Sequence, residues 1–477
     1  MGQYQHYYIV IKIVLLSIRS HMLEKKSIYF GKFIGIKVYG THLNNNNNIK
    51  QFTLTKDTST NNYEFQALRK FFNQPGFFIN SEGPIESNVN FSRSDHPLYF
   101  GYYSKHIQVY RFNKGQGKRF FSRGILRNNF ASNGAIVYSY GQKALRGGPA
   151  CSFNQVPDLK PKPEFQNFKN SPSYIKNLVY DYKNIFMLSL IDMKNRELLV
   201  AQSIFDGIIA SGYEIQVYSV SFVLIQCKDD IEEGSQLFSG PDNMDSERIK
   251  FKKITFFDQI EDGVYIYSKN FHYFHLDYHK IICGKYKYDM SILREVFDLI
   301  PNNFILRVNC IDSLDRTGAV LSYYFQLQEN NHSTRKDHVT CGNILSQQYA
   351  STNSMKQDQQ EFNIRTLKGK IQDINTWFLR WVRNNHCDGK VQDGYTLVQY
   401  ENLTYKRYFT INIWYYLLLT FLVNIASTYF VFKYCVQTKI DPILPCIGSV
   451  ILILIFQYLM AILLRNSLVS LPRYTFK

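Results

Sequence analysis

Arg307-Val-Asn-Cys-Ile-Asp-Ser-Leu-Asp-Arg-Thr-Gly318 is the stretch on which the reading of this chain turns. It sets Cys310 and Arg316 six positions apart. Ahead of it, the apolar run Phe304-Ile-Leu306 predicts a short buried strand. Behind it, Val320, Tyr324 and Leu327 recur at helical spacing from Thr317 onward. A strand that enters a tight loop and leaves as a helix cradles an anion, because the loop N–H groups and the helix N-terminus direct partial positive charge at one point. A cysteine at the head of such a loop is biased toward its thiolate. An arginine at its end presents a planar fork to two phosphate oxygens. The pattern therefore predicts Cys310 as nucleophile and Arg316 as phosphate clamp. Asp312 and Asp315 are the candidate proton donors, Asp312 ahead of Asp315, since a carboxyl beside bound phosphate has a raised pKa. Asn309, Ile311, Ser313, Leu314, Thr317 and Gly318 complete the phosphate loop. Thr317 is expected to steady the thiolate, to cap the following helix, or both.

The 477 residues leave room for two or three domains, and 36 Tyr with 37 Phe supply ample core material. A formal net charge of +17 suits an anionic partner such as a nucleic acid, a membrane surface or a phosphorylated substrate. No run of five or more Lys/Arg occurs, so no nucleic-acid-binding tail is expected. The cysteines (151, 227, 283, 310, 341, 387, 435 and 446) are scattered without a Cys-x-x-Cys pair. That distribution speaks against zinc and for a reducing compartment, in which Cys310 stays a free thiol. No metal or other cofactor is expected.

The full loop resembles the signature of the Sac-domain phosphoinositide phosphatases, R-x-N-C-x-D-C-L-D-R-T-N. Arg307, Asn309, Cys310, Asp312, Leu314, Asp315, Arg316 and Thr317 match it; Ser313 and Gly318 replace a cysteine and an asparagine. Other fragments carry the same resemblance. Arg119-Phe-Phe-Ser-Arg-Gly-Ile125 resembles R-Y-x-x-R-G-I, and the run from Arg146 to Pro163 resembles R-G-S-I-P-x-x-W-x-Q-x-P-x-L-x-x-K-P. Asn129-Phe-Ala-Ser-Asn-Gly134 stands where the family has the acidic N-F-V-E-T-E. Phe274-His-Leu-Asp-Tyr-His-Lys280 resembles a strand end, F-D-F-H-x; Asp277 and His279 would share a strand face and, with Lys280, border the phosphate pocket. Cys341–Thr352 and Gly369–Asp393 resemble later family elements, with Asn343 for an aspartate and Ser351 for a glycine. The resemblance spans most of residues 60–400.

Its implications are an α/β (α+β) two-subdomain Sac domain, with a β-rich N-terminal subdomain over 1–165 and a cysteine-phosphatase-like catalytic subdomain over 166–400. The implied activity is hydrolysis of a phosphatidylinositol monophosphate, chiefly the 4-phosphate, through a phosphocysteine. Lys280, Lys285, Lys287 and Lys356 are candidate headgroup contacts. The competing readings are a Sac-like scaffold or tether that binds phosphoinositide without turning it over, and a protein tyrosine phosphatase, whose usual W-P-D acid loop is absent here.

Residues 411–432 and 443–464 are uncharged and apolar, each long enough as a helix to cross a bilayer core. The short link between them predicts a transmembrane hairpin within 401–477. Lys406, Arg407, Arg465, Arg473 and Lys477 at its open end place both chain ends, and the catalytic domain, in the cytosol. The tail resembles that of the endoplasmic reticulum and Golgi branch of the family, so a multi-pass protein of those membranes is expected, with no protein partner indicated. Residues 7–18 are read as a strand, the asparagine run 44–48 and the acidic stretch 228–247 as loops.

Overall fold

The computed structural model describes residues 27–476 except 34–35, 44–47, 57–61, 73, 75–76, 79–98, 104–105, 112–114, 127–128, 161–162, 224–247, 255–259, 328–331, 400–402, 407–412, 439–442 and 464–468. The strand expected at 7–18, most of the asparagine run and the acidic loop lie outside the described residues.

The fold is mixed α/β, built on a sheet of 14 strands. Its first part is an antiparallel meander: β1 (Ser27–Phe33), β2 (Ile36–Leu43), β3 (Asn48–Lys56), β4 (Phe77–Phe78), β5 (Tyr99–Tyr103), β6 (Ile107–Arg111), β7 (Ala135–Ser139) and β8 (Gln142–Arg146). A small hairpin, β9 (Cys151–Asn154) and β10 (Gln166–Asn170), follows. The rest of the large sheet comes from β11 (Ile185–Ser189), β12 (Gln216–Phe222), β13 (Ile249–Lys253), β14 (Gly263–Tyr267), β15 (Phe271–Leu276) and β16 (Ile305–Asn309). The order from β8 onward is β8-β16-β11-β15-β14-β12-β13. β16 pairs in parallel with both β8 and β11, so the sheet continues across the expected subdomain boundary at 165.

The helices are α1 (Asn62–Phe72), α2 (Pro172–Tyr182), α3 (Asn195–Ile209), α4 (Ile292–Asp298), α5 (Asp315–Gln326), α6 (His332–Ala350), α7 (Gln357–Phe362), α8 (Leu367–His386) and α9 (Asp388–Gln399). They cover both faces of the parallel strands, which is why those strands read as apolar runs rather than alternating ones. Along β11, Phe186 and Leu188 pack with Leu306 and Val308 of β16 in one core beneath α4, α5 and α6. Ile185 and Met187 face a second core with α2 and α3.

Two details differ from the sequence reading. The strand before the loop is longer than its apolar run, because Arg307 and Asn309 are buried within it. β15 ends at Leu276, so Asp277 and His279 share no strand face. They enter a π-helical turn, His279–Lys285, started by the Asp277 carboxylate accepting from Lys280 N at 2.9 Å.

Past a short pairing of β17 (Leu403–Tyr405) with β18 (Tyr474–Phe476), the tail forms α10 (Ile413–Thr438) and α11 (Ile443–Leu463), which pack together. Among the described residues one stretch, Leu418–Thr438, is long and apolar enough to cross a membrane. Its apolar side chains, among them Phe421, Leu422, Ile425 and Phe430, are exposed, unlike those of a soluble core helix.

Candidate active site

β16 lies inside the sheet and ends at the loop, so Cys310 stands at the carboxyl end of a parallel strand, where open α/β sheets form their crevices. Two buried residues fix that strand end. Arg307 donates to Asn309 Oδ1 (2.9 Å), Gly148 O (2.7 Å) and the Tyr174 hydroxyl (3.1 Å). Asn309 donates to Ser189 Oγ of β11 at 3.1 Å. Asn309 is thus a strut between strands, one step removed from the phosphate loop it was assigned to. Cys310 is only 3% exposed.

The loop is shaped from outside by residues of the N-terminal half. Asn133 Nδ2 donates to Asp312 O at 2.9 Å and Ser313 O at 3.3 Å. Arg146 Nη2 donates to Ser313 O and, at 3.5 Å, to Leu314 O, and its Nε reaches Ser313 Oγ at 3.4 Å. Because a trans peptide sets N–H opposite C=O, carbonyls drawn outward turn the amides of residues 313–315 the other way. Ser313 takes φ +49°, the left-handed conformation that lets consecutive amides converge. The segment that stands in place of the acidic family element therefore orients the loop through Asn133, whose amide donates where a carboxylate cannot.

The two loop aspartates are both ion-paired. Asp312 forms ion pairs with Arg119, whose Nε lies 2.9 Å from its carboxylate, and with Arg123, whose Nη2 lies 2.6 Å away. Asp315 pairs with Arg380 Nη1 at 3.0 Å and accepts Met355 N at 2.6 Å. Burial alone would raise both carboxyls, but Arg119 and Arg123 for Asp312, and Arg380 for Asp315, hold them below the usual carboxylate range. Asp312 is braced by Arg119 and Arg123, the two arginines of the R-x-x-x-R fragment, which the sequence reading had used only as a family mark.

Arg316 does not stand free. Its Nη1 and Nη2 grip Glu197 at 2.9 Å each, and Nη1 also reaches Leu190 O at 2.8 Å and Asp192 at 3.2 Å. Burial opposes its charge, yet Glu197, Cys310 and Asp192 outweigh that and hold the guanidinium well above its ordinary value. Cys310 and Arg316 thus share one electrostatic environment. Asp192 links the clamp to His279, whose Nδ1 lies 2.7 Å from Asp192 Oδ2. Asp277 holds the backbone, accepting from Met193 N at 2.9 Å, and Lys280 and Lys285 pair with Asp262 at 2.9 and 3.0 Å. Lys356 lays its ammonium over the Tyr278 ring, 5.4 Å from the centroid. Of the three pocket-border candidates, only His279 connects to the clamp through a charged partner.

Burial alone would raise the Asp192 carboxyl, but the His279 hydrogen bond and then Arg316 bring it down to about 2. A depressed carboxyl stabilises the fold above its unfolded pKa, near about 4, and loses that contribution as pH falls through the folded one. Asp192→Asn is therefore expected to lower the melting temperature at neutral pH. The gap from wild type should close between about pH 4 and about 2 when both are scanned in detergent.

Helix α5 begins with Leu314 as its N-cap, so Thr317 does not cap it. The Thr317 hydroxyl is buried and has no hydrogen-bond partner among the described residues. Gly318 fits a packing need: a Cβ there would meet Gln360 Nε2 at 3.0 Å, and one on Gly342 would meet Gln360 Oε1 at 2.8 Å. The two glycines form a slot for this buried glutamine. Gly318→Asn should cost about 1–3 kcal/mol, seen as a lowered melting temperature that Gln360→Ala partly restores. Asn343, the other departure, accepts from Ser354 N and Oγ, both at 3.0 Å, and from Gln357 Nε2, and so closes the turn after α6.

No family model matches the chain. It is similar to phosphoinositide phosphatase SAC6 of Arabidopsis thaliana, 30% identical over 27% of this chain and 28% of that protein. SAC7 of the same plant is 28% identical over 28% of this chain and 29% of its own length. SAC8 is 31% identical over 20% of each. The matches thus span under a third of the length of these relatives. Three of the chain's curated relatives, SAC6, SAC7 and SAC8, are thus phosphoinositide phosphatases.

Proposed function

We propose that the chain is a phosphoinositide phosphatase that hydrolyses a phosphatidylinositol monophosphate, the 4-phosphate before others, through a phosphocysteine. The observation that carries this reading is the Cys310–Arg316 loop at the end of β16, its carbonyls drawn outward by Arg146 and Asn133. A loop so held offers its amides to an anion without reorganising, the condition under which such donors stabilise developing charge most.

In this mechanism the Cys310 thiolate attacks phosphorus and an S–P bond forms as the bond to the inositol oxygen breaks. The departing oxygen takes a proton from a loop carboxyl. Asp312 is the better placed of the two. Asp315 is committed to Arg380 and the Met355 amide, whereas Asp312, among the described residues, is ion-paired with two arginines that an incoming phosphate also attracts. A phosphate dianion beside Asp312 favours its protonated form. Arg316 exchanges Glu197 for phosphate oxygens. Water, deprotonated by Asp312, then attacks phosphorus, the S–P bond breaks, and the thiolate is regenerated, with the Thr317 hydroxyl available to turn and donate to it.

The tail belongs to the same reading. Both α10 and α11 cross the bilayer as a hairpin, and the Lys406 and Arg473 side keeps the catalytic domain in the cytosol, at endoplasmic reticulum or Golgi membranes. The test is phosphate release by the full chain from liposomes carrying each phosphatidylinositol phosphate in turn. Turnover is expected to be fastest on the 4-phosphate; no release from any of them would overturn the reading.

A further inference from the structure

A cavity of about 530 Å³ opens between α1, the end of α8 and the start of α9. Arg69, Lys70, Ser351, Arg383, Cys387 and Asp388 line it. None of these side chains hydrogen-bonds to the Cys310–Arg316 loop among the described contacts. Its one carboxylate is already answered from within the protein. Asp388 accepts from Ser351 Oγ at 2.5 Å and Asn384 Nδ2 at 2.7 Å, with the Lys118 ammonium 3.9 Å away. Arg69 and Lys70 are exposed and make no ion pair among the described residues, and exposed Arg383 donates to the Ser351 carbonyl and lies within the field of Asp388. Three cations face one carboxylate in this cavity wall, so a net positive charge remains, and an anion between them relieves its cost. The crowding is visible in a neighbour: burial first, then Lys70 and Arg473, hold the Lys390 ammonium below its ordinary value.

The cavity is also tied to the tail. Ser470 N donates to Asn385 O at 2.7 Å, at the end of α8, and the Ser470 carbonyl packs against Gly389 at the start of α9. Ser470 follows Leu463, the last residue of α11, by so few residues that the chain between them spans at most about 25 Å. The cavity thus stays near the base of the hairpin, where lipid headgroups lie if the tail is membrane-embedded.

We propose that this cavity is a second phosphate-binding site, separate from the catalytic loop, which takes a phosphate group borne by a lipid headgroup or by a soluble inositol polyphosphate. Its nearness to lipid rests on the hairpin reading of the tail; its charge chemistry does not.

Cys387, exposed in the cavity wall, reports on occupancy. Full-length Cys310→Ser protein, which consumes no ligand under the proposed mechanism, is placed in phosphatidylcholine nanodiscs. Alkylation of Cys387 by N-ethylmaleimide is followed by peptide mass spectrometry at mildly alkaline pH. One arm adds phosphatidylinositol 4-phosphate to the disc, another adds inositol hexakisphosphate to the buffer. Ligand at ten times its Kd should slow Cys387 alkylation about tenfold. The double variant Arg69→Gln/Lys70→Gln should lose the protection and keep the unliganded rate. Protection in the lipid arm alone assigns the site to a headgroup; protection in both assigns it to phosphate from either source. Absence of protection in both arms, or protection that survives the double substitution, overturns the proposal.

Discussion

Cys310→Ser is expected to reduce phosphate release by at least roughly 10⁴-fold, to the floor of the assay, while leaving phosphoinositide binding in place. The separation follows from how the loop is built. Its shape comes from Arg146 and Asn133 on the carbonyls of residues 312–314 and from the Arg307–Asn309 strut beneath it, none of which uses the thiol. Serine is nearly isosteric, and its hydroxyl is far less acidic than a thiol, so it has no thiolate equivalent to attack phosphorus. The measurement is a liposome assay of turnover beside a binding titration of the same preparation. Loss of both would mean that the thiol also organises the loop. Retention of turnover would remove the nucleophile from the mechanism, and retained binding with an already inactive wild type would favour the scaffold reading.

Asp312→Asn carries the second large effect, a fall in kcat of about 10²–10⁴-fold on phosphoinositide. Its diagnostic is the leaving group. Inositol departs as a strongly basic alkoxide and needs a proton, whereas the phenolate of an activated aryl phosphate does not. The variant should therefore lose little on an aryl phosphate, and the alkaline limb of its kcat profile, set by the acid in the enzyme–substrate complex, should vanish. Structure supplies the counter-outcome. Asp312 also neutralises Arg119 and Arg123, and removing its charge sets two largely buried guanidinium groups against each other. If equal losses appeared on both substrates, together with a lowered melting temperature, Asp312 would be a brace rather than the acid. Asp315→Asn provides the comparison, because the Arg380 and Met355 contacts make its expected loss one of stability that does not depend on the leaving group.

Much of this site was legible from local order. Cys-x5-Arg spacing, an apolar run before it and helical periodicity behind it are short-range features, and β16, the loop and α5 follow them. Contacts made by distant residues were not legible. Glu197 sits in the first turn of α3, an ordinary place for an acidic residue, and nothing local announces that it holds Arg316 from 119 positions away. Arg119, Arg123 and Arg146 lay within the quoted fragments, but the direction of a side chain depends on how the meander joins β16, which spacing does not encode. The Asp277–His279 error has a local cause. Alternation of polar and apolar residues continued past the end of β15, and a carboxylate accepting from its own following backbone turned the chain into a π-helical bend.

The most direct measurement is to trap the covalent intermediate. Wild-type full chain is mixed with excess phosphatidylinositol 4-phosphate, quenched within the first turnover, digested and analysed by mass spectrometry for phosphorylated cysteine. The expected result is a phosphoryl group on the Cys310 peptide that appears and decays with turnover and is absent from Cys310→Ser. Steady phosphate release with the Cys310 peptide never labelled, or labelling on another residue, would contradict it.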